Sequence, residues 1–412
     1  MIDYKRKILS NGLELIVHED RSTPLVTVNI LYKVGARDEN PDKTGFAHLF
    51  EHLMFGGSVN IAEYDEPLQM AGGDNNAFTN NDITNYYLTL PAQNLETAFW
   101  LESDRMMELA FSKKSLDVQR KVVIEEFQQR YFNQPYGDVW LLLRPLAYKV
   151  HPYSWPTIGK EISHIENAKL DDVKSFFYRY YTPDNAIMVV AGNVNFEAVA
   201  ELAGEWFGPI QRKIDERVPY PAEPEQTERR ELTVQRDIPY DSIYKAYHTC
   251  SRLDPQFYSL DLITDILSRG KSSRLYNSLV KEKKLFSEIS AYPTADFDKG
   301  LIVIEGKLVK GVEMKVAEAA IDSELALLTE KLVEQTELEK VKNKVESTME
   351  FSEVDLPSRA LNLAIAAYMG NIDLVNSEIE LYRKTTAEEI RQTAKQIFKD
   401  SNSSVLYYMS KN

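Results

Sequence analysis

The sequence predicts a mixed α+β protein built from two related halves, and three observations carry that reading. The 412 residues exceed what one hydrophobic core usually organises, so two domains of about 200 residues are expected. Stretches rich in β-branched residues are interspersed with long helical patterns. A charged, proline-punctuated stretch from Pro209 to about Thr233 is followed by a faint recurrence of the first half.

Taken in order, Leu13 to Val17 reads as a strand, Glu19 to Pro24 as a polar turn, and Leu25 to Val34 as a second strand. Gly45 to Phe55 reads as a helix, with apolar residues at Phe46, Leu49, Phe50 and Leu53. The turn-like cluster Gly72-Gly73-Asp74-Asn75-Asn76 leads into Ala77-Phe78-Thr79, and a strand follows over Asn85 to Leu90. Helices are expected over Leu95 to Ala110, Ser115 to Tyr131 and Phe196 to Trp206, with a buried strand at Ala186 to Gly192.

Pro219, Pro221 and Pro224, set among Glu and Arg residues, mark a linker. The expected division is a first domain over 1–209, a linker over 210–232 and a second domain over 233–412. In the second half Ser242 to His248 and Leu301 to Leu308 read as strands, and Tyr258 to Leu267 as a helix. There Asp261, Thr264 and Asp265 stand opposite His48, Glu51 and His52, so the second copy keeps the apolar frame without the histidines.

Sixty-three acidic against 48 basic residues give a net charge of −15, and no basic run of the kind that tracks a phosphate backbone is present, which argues against nucleic acid. An acidic interior surface that prefers basic peptides is compatible with the surplus, although surplus charge more often serves solubility. The single Cys250 rules out an intramolecular disulfide and a cysteine-based zinc site, and reads as a small core residue. The first nine residues have no apolar run behind their charges, and no uninterrupted stretch of 18 apolar residues occurs. The expectation is a cytoplasmic protein without a membrane span, or a periplasmic or secreted one if a leader has been removed.

The chemistry sits in His48-Leu49-Phe50-Glu51-His52. Residues four apart on a helix lie one turn above each other, so His48 and His52 present both imidazoles to one tetrahedral zinc. Glu51 then lies beside the metal. A zinc with an open position carries water whose pKa falls toward about 7, and an adjacent carboxylate can take its proton and deliver it to a leaving amine. That makes Glu51 the general base.

A third ligand must come from elsewhere. His18, His151, His164 and His248 lie in segments without comparable signals, whereas Glu125-Glu126 ends a helical stretch. Glu126, four from Val122 and three from Val123, shares their inward face, and Glu125 points further toward solvent. Periodicity favours Glu126 and leaves Glu125 open.

These residues resemble the pitrilysin family of inverzincins over nearly the whole chain, in particular the zinc-bearing subunit of its processing-peptidase-like bacterial members. Besides the motif, Asn76-Ala77-Phe78-Thr79, Gln119 to Glu126, and Tyr180-Tyr181-Thr182-Pro183-Asp184-Asn185-Ala186 carry the likeness. The resemblance implies two related domains, each a mostly antiparallel sheet flanked by helices, together half of a clamshell. It implies one zinc per chain with Glu126 as third ligand. Gln119 stands where relatives have a glutamate that supports the ligands from behind, and it can hydrogen-bond but brings no charge. Asn76, Ala77, Phe78 and Thr79 resemble the edge strand to which an unfolded peptide adds through its backbone.

Active relatives also carry an arginine and a tyrosine seven residues apart in the metal-free half, where Val280 and Ser287 stand here. The expectation is therefore a zinc endopeptidase for unfolded peptides or leader segments, paired with a homologous metal-free subunit or a second copy of itself. A catalytically idle structural subunit is the alternative from another class, and a zinc hydrolase for non-peptide substrates is a third.

Overall fold

The computed structural model describes residues 1–213 and 219–411. Residues 214–218 of the expected linker lie outside the described residues.

Two compact units are present. The first comprises Met1–Gln128, Trp155–Tyr220 and Glu350–Ser377, and the second Gln129–Ser154, Pro221–Met349 and Glu378–Asn412. They are not the contiguous halves 1–209 and 233–412. Two segments cross over, and apolar faces explain both. Helix Val139–Ala147, from the first half of the chain, buries Val139, Leu143 and Ala147 in one core cluster with Tyr244, Val303 and Leu406 of the second unit. Helix Leu356–Tyr368, from the second half, buries Ala360, Leu363 and Ala364 and packs on the first unit's sheet. The linker prediction also runs too far, since a strand already begins at Arg230.

In the first unit, β1 (Lys5–Ile8), β2 (Glu14–Glu19), β3 (Leu25–Tyr32), β4 (Asp74–Thr79), β5 (Thr84–Pro91) and β6 (Ala186–Gly192) form one sheet in the order β1-β2-β6-β3-β5-β4. Only β2 and β6 pair in parallel. β6 is buried along its whole length, as its unbroken apolar run requires of a central strand. β4 is an edge strand, hydrogen-bonded to β5 on one side.

In the second unit, β7 (Arg230–Arg236), β8 (Ser242–His248), β9 (Phe286–Pro293), β10 (Leu301–Leu308) and β11 (Ser403–Ser410) form a sheet in the order β7-β11-β8-β10-β9. The order reproduces β2-β6-β3-β5-β4 strand for strand, with β7 and β11 as the parallel pair. Helix Phe46–Leu53 lies between β3 and β4 in the chain, and helix Phe257–Ser268 between β8 and β9. The faint recurrence in the sequence is thus a repeat of topology. Where the first copy has histidines, Asp261 accepts the Tyr382 hydroxyl at 2.7 Å and Asp265 pairs with Arg269 at 3.3 Å.

Helix starts follow local chemistry. Ser112 accepts the Ser115 N–H at the start of helix Lys113–Phe127, and Asn195 accepts two N–H groups at the start of Phe196–Trp206. Cys250 is half-buried at the margin of the second core rather than inside it. Among the described residues no helix is long and apolar enough to cross a membrane.

Candidate metal centre

The site is built on helix Phe46–Leu53. Phe46, Ala47, Leu49, Phe50 and Leu53 are buried, which leaves His48, Glu51 and His52 half-buried on the other flank. Phe50 anchors the buried face, with its ring stacked on Phe176 at 5.2 Å and on Tyr181 at 5.1 Å between centroids. The imidazoles of His48 and His52 stand nearly perpendicular, 4.9 Å apart.

Helix Lys113–Phe127 packs beside it and buries Leu116, Val123 and Phe127. Its periodicity carries Glu126 inward and leaves Glu125 exposed. Val122, read as inward, is 41% exposed, because the buried stripe runs through Val123 instead. Glu126 Oε2 lies 3.5 Å from His48 Nε2 and 3.4 Å from His52 Nε2. One donor atom from each of the three residues falls within 4.8 Å of the others.

That spacing fits a metal. Nitrogen and oxygen ligands about 2.0–2.2 Å from a tetrahedral zinc lie roughly 3.3–3.6 Å from one another. Two imidazoles and a carboxylate also form the donor set of known zinc hydrolases, and they leave a position for solvent or substrate. Among the described residues no other group of three or more such side chains converges in this way.

Glu51 is next to His52 in the chain, and its charge is felt at two buried phenols. Burial, above all, pushes the Tyr86 and Tyr181 hydroxyls far above the ordinary tyrosine range, and the Glu51 charge adds to both shifts. Gln119 is half-buried on the same helix as Glu126. Seven residues correspond to about 10 Å along a helix axis, so it sits two turns from Glu126 on nearly the same face. Asn76, Ala77, Phe78 and Thr79 all lie on the edge strand β4, which packs against the histidine helix. There the Ala77 N–H donates to Asn76 Oδ1 at 2.8 Å. The other histidines are engaged elsewhere, His18 with Arg359, His151 with Asp298, His164 with Thr44 and His248 with the Ala147 carbonyl.

Sequence reasoning missed the support beneath the site. Glu102 and Arg105 look like helix surface, yet both are buried and joined by hydrogen bonds of 2.6 to 3.0 Å. The Arg105 guanidinium lies 4.5 Å from the ring centres of Tyr64 and Tyr86. Glu39 was missed too, and its carboxylate receives backbone N–H groups from the start of the histidine helix.

The chain is 33% identical over 345 residues to the zinc protease PqqE of Helicobacter pylori, an alignment spanning 81% of this chain and 76% of that protein. The chain belongs to the insulinase family, peptidase family M16. The family pattern described as "Insulinase (Peptidase family M16)" matches residues 15–157, which include His48, Glu51, His52 and Glu126. The pattern described as "Peptidase M16 inactive domain" matches residues 167–345. The uncharacterized zinc protease YmxG of Bacillus subtilis is 24% identical over 99% of both chains. Among solved structures, a protease from Helicobacter pylori superposes with a TM-score of 0.93 at 27% identity, covering 99% of this chain and 100% of that one. Pitrilysin superposes with a TM-score of 0.79 at 19% identity over 100% of this chain and 45% of its own, a likeness of fold. This insulinase-family chain therefore carries a histidine-rich helix in one unit, while its second unit repeats the topology without histidines at the matching place.

Proposed function

We propose that this chain is a zinc-dependent endopeptidase that hydrolyses unfolded peptides or leader segments and serves as the catalytic subunit of a dimer. The observation that carries the reading is the convergence of His48 Nε2 and His52 Nε2 on Glu126 Oε2, with Glu51 one residue from His52. His48, His52 and Glu126 hold one zinc per chain. Zinc bound there supplies a Lewis acid for the scissile carbonyl and lowers the pKa of water toward about 7.

Glu51 takes the proton of the attacking water and returns it to the leaving amine. The edge of β4 holds the peptide extended by backbone hydrogen bonds, with the substrate replacing the Asn76 side chain at the Ala77 N–H. Backbone recognition suits unfolded substrates of varied sequence. Gln119 supports the ligand face of its helix through hydrogen bonding without charge.

A homologous metal-free partner supplies the arginine and tyrosine, because a second copy of this chain would bring the same Val280 and Ser287. Two positions support this. Val280 packs against the second core, and Ser287 donates to the Lys307 carbonyl at 3.2 Å, so neither offers a cation or phenol to a substrate. The idle-subunit alternative is opposed by the complete set of His48, His52, Glu126 and Glu51.

The test is cleavage of an unfolded fluorogenic peptide by zinc-loaded chain, measured alone and with any metal-free homologue that co-purifies. The partnered sample is expected to turn over and the chain alone to be slow. Full activity of the isolated chain as a monomer removes the partner. Absence of zinc and of activity in both samples removes the peptidase.

A further inference from the structure

We propose that Glu39 is a positioning residue that fixes the first turn of the histidine helix and thereby sets the placement of His48. The inference rests on the zinc reading above, but its geometry does not.

Helix Phe46–Leu53 starts without a side-chain cap of its own. Its N-cap is Gly45 in the left-handed region, φ +89°, and no side chain there accepts a backbone N–H. The carboxylate of Glu39, six residues upstream, does so from outside. Its Oε2 accepts the Gly45 N–H at 2.9 Å and its Oε1 the Ala47 N–H at 2.8 Å. The Trp155 indole N–H adds a third donor to Oε2 at 3.1 Å, shared with the Ala36 carbonyl. Glu39 is only 5% exposed. Burial pushes its carboxyl up and these three N–H groups pull it back, since a proton on either oxygen would face a donor.

The opposite side of the turn is closed as well. A Cβ on Gly45 would meet the Ile158 carbonyl oxygen at 2.6 Å, and Thr44 is tied to His164 and Lys160 by its N–H and hydroxyl. The first turn is thus clamped between Glu39 and the 158–164 segment. His48 belongs to that turn, and its Nε2 must meet Glu126 Oε2 at 3.5 Å. Both oxygens of Glu39 face donors only, so an amide in its place must turn its NH2 group toward an N–H.

Three variants test the assignment. In metal-free protein, Glu39→Gln should speed hydrogen exchange of the Gly45 and Ala47 amides, the two that Glu39 accepts, at least tenfold. In zinc competition against a chelator, it should weaken affinity about 10–100-fold, the range for partners that orient ligands from behind. With zinc saturating, kcat should fall and KM for peptide stay within twofold. Asp355→Ala, which removes the cap of helix Leu356–Tyr368 in the same unit, should lower Tm without moving zinc affinity. Should Glu39→Gln fail to fold, Trp155→Phe removes one donor to Oε2 and should still produce a smaller loss of zinc affinity.

Unchanged exchange at Gly45 and Ala47 overturns the positioning role, whether or not zinc binds. So does an equal loss of zinc affinity in Asp355→Ala. A wild-type chain that binds no zinc, yet shows the exchange effect, overturns the function reading and keeps the role of Glu39 in the helix.

Discussion

His52 Nε2 and Glu126 Oε2, carried by two different helices, meet at 3.4 Å. Helix Lys113–Phe127 brings the carboxylate to the imidazoles because Leu116, Val123 and Phe127 bury on the same side. Replacing Glu126 by Ala should therefore cost more zinc affinity than losing an outer partner does, at least about 100-fold. Glu125→Ala, at an exposed position, should leave affinity within twofold. Chelator competition separates the two, and equal effects would transfer the ligand role away from Glu126.

Glu51→Gln keeps the shape of the site and removes its base. Zinc content should stay at one per chain while kcat drops by about 10²–10⁴, the usual share of general acid–base catalysis. His52→Ala should lose zinc and turnover together. Retained peptide hydrolysis in Glu51→Gln would assign the base elsewhere.

Edge-strand binding predicts a dependence on the substrate backbone. A peptide N-methylated at a residue facing Ala77 should show KM raised at least about tenfold, since one charge-free hydrogen bond is lost and a methyl group blocks the strand. Side-chain changes at the same residue should matter less. A KM indifferent to N-methylation would remove β4 from substrate binding.

Phe50 is fully buried between the helix and the rings of Phe176, Phe177 and Tyr181. Phe50→Ala should destabilise by about 3–5 kcal/mol through lost transfer energy and a cavity. Urea unfolding measures this, and a change below about 1 kcal/mol would mean that the rings collapse into the space.

Acid should loosen one tie of the first unit. Hydrogen bonds from the Ser22 side chain and backbone, and then the Arg359 guanidinium, hold the Asp20 carboxyl down at about 2. A depressed folded-state pKa favours the ionised form, so the contribution is complete above the unfolded value of 3.8 and is lost as pH falls through about 2. Asp20 is 14% exposed, and screening limits the effect to about 1–2 kcal/mol. The stability gap between wild type and Asp20→Asn should be constant above pH 5 and narrow between pH 4 and 2. A gap that widens on acidification would contradict the pairing.

Several elements were legible because their causes are local. Ala186–Gly192, Ser242–His248 and Leu301–Leu308 appear as strands with the bounds read from their apolar runs. The histidine helix was expected over Gly45 to Phe55 and spans Phe46–Leu53. Its helical spacing alone put His48 and His52 one turn apart, since rise and twist need no tertiary partner. The mixed class and the repeat were legible for the same reason, because each copy carries its own pattern of strands and helices.

What depends on partners distant in the chain was decided by the tertiary structure. The run Glu102-Ser103-Asp104-Arg105 reads as solvated helix surface, yet all four residues are buried. Only the arrival of Tyr64 and Tyr86 gives Arg105 a place inside. Glu39 reads as loop charge until the folded chain turns Gly45 and Ala47 toward it. Helix Val139–Ala147 shows an apolar face, but nothing local states that the waiting surface belongs to the second unit. Which residues share a turn or a strand face follows from local order alone, because backbone geometry repeats over a few residues. Which buried charge meets which donor, and which sheet receives which helix, was settled only by packing, where burial makes an unpaired group or an uncovered apolar face costly.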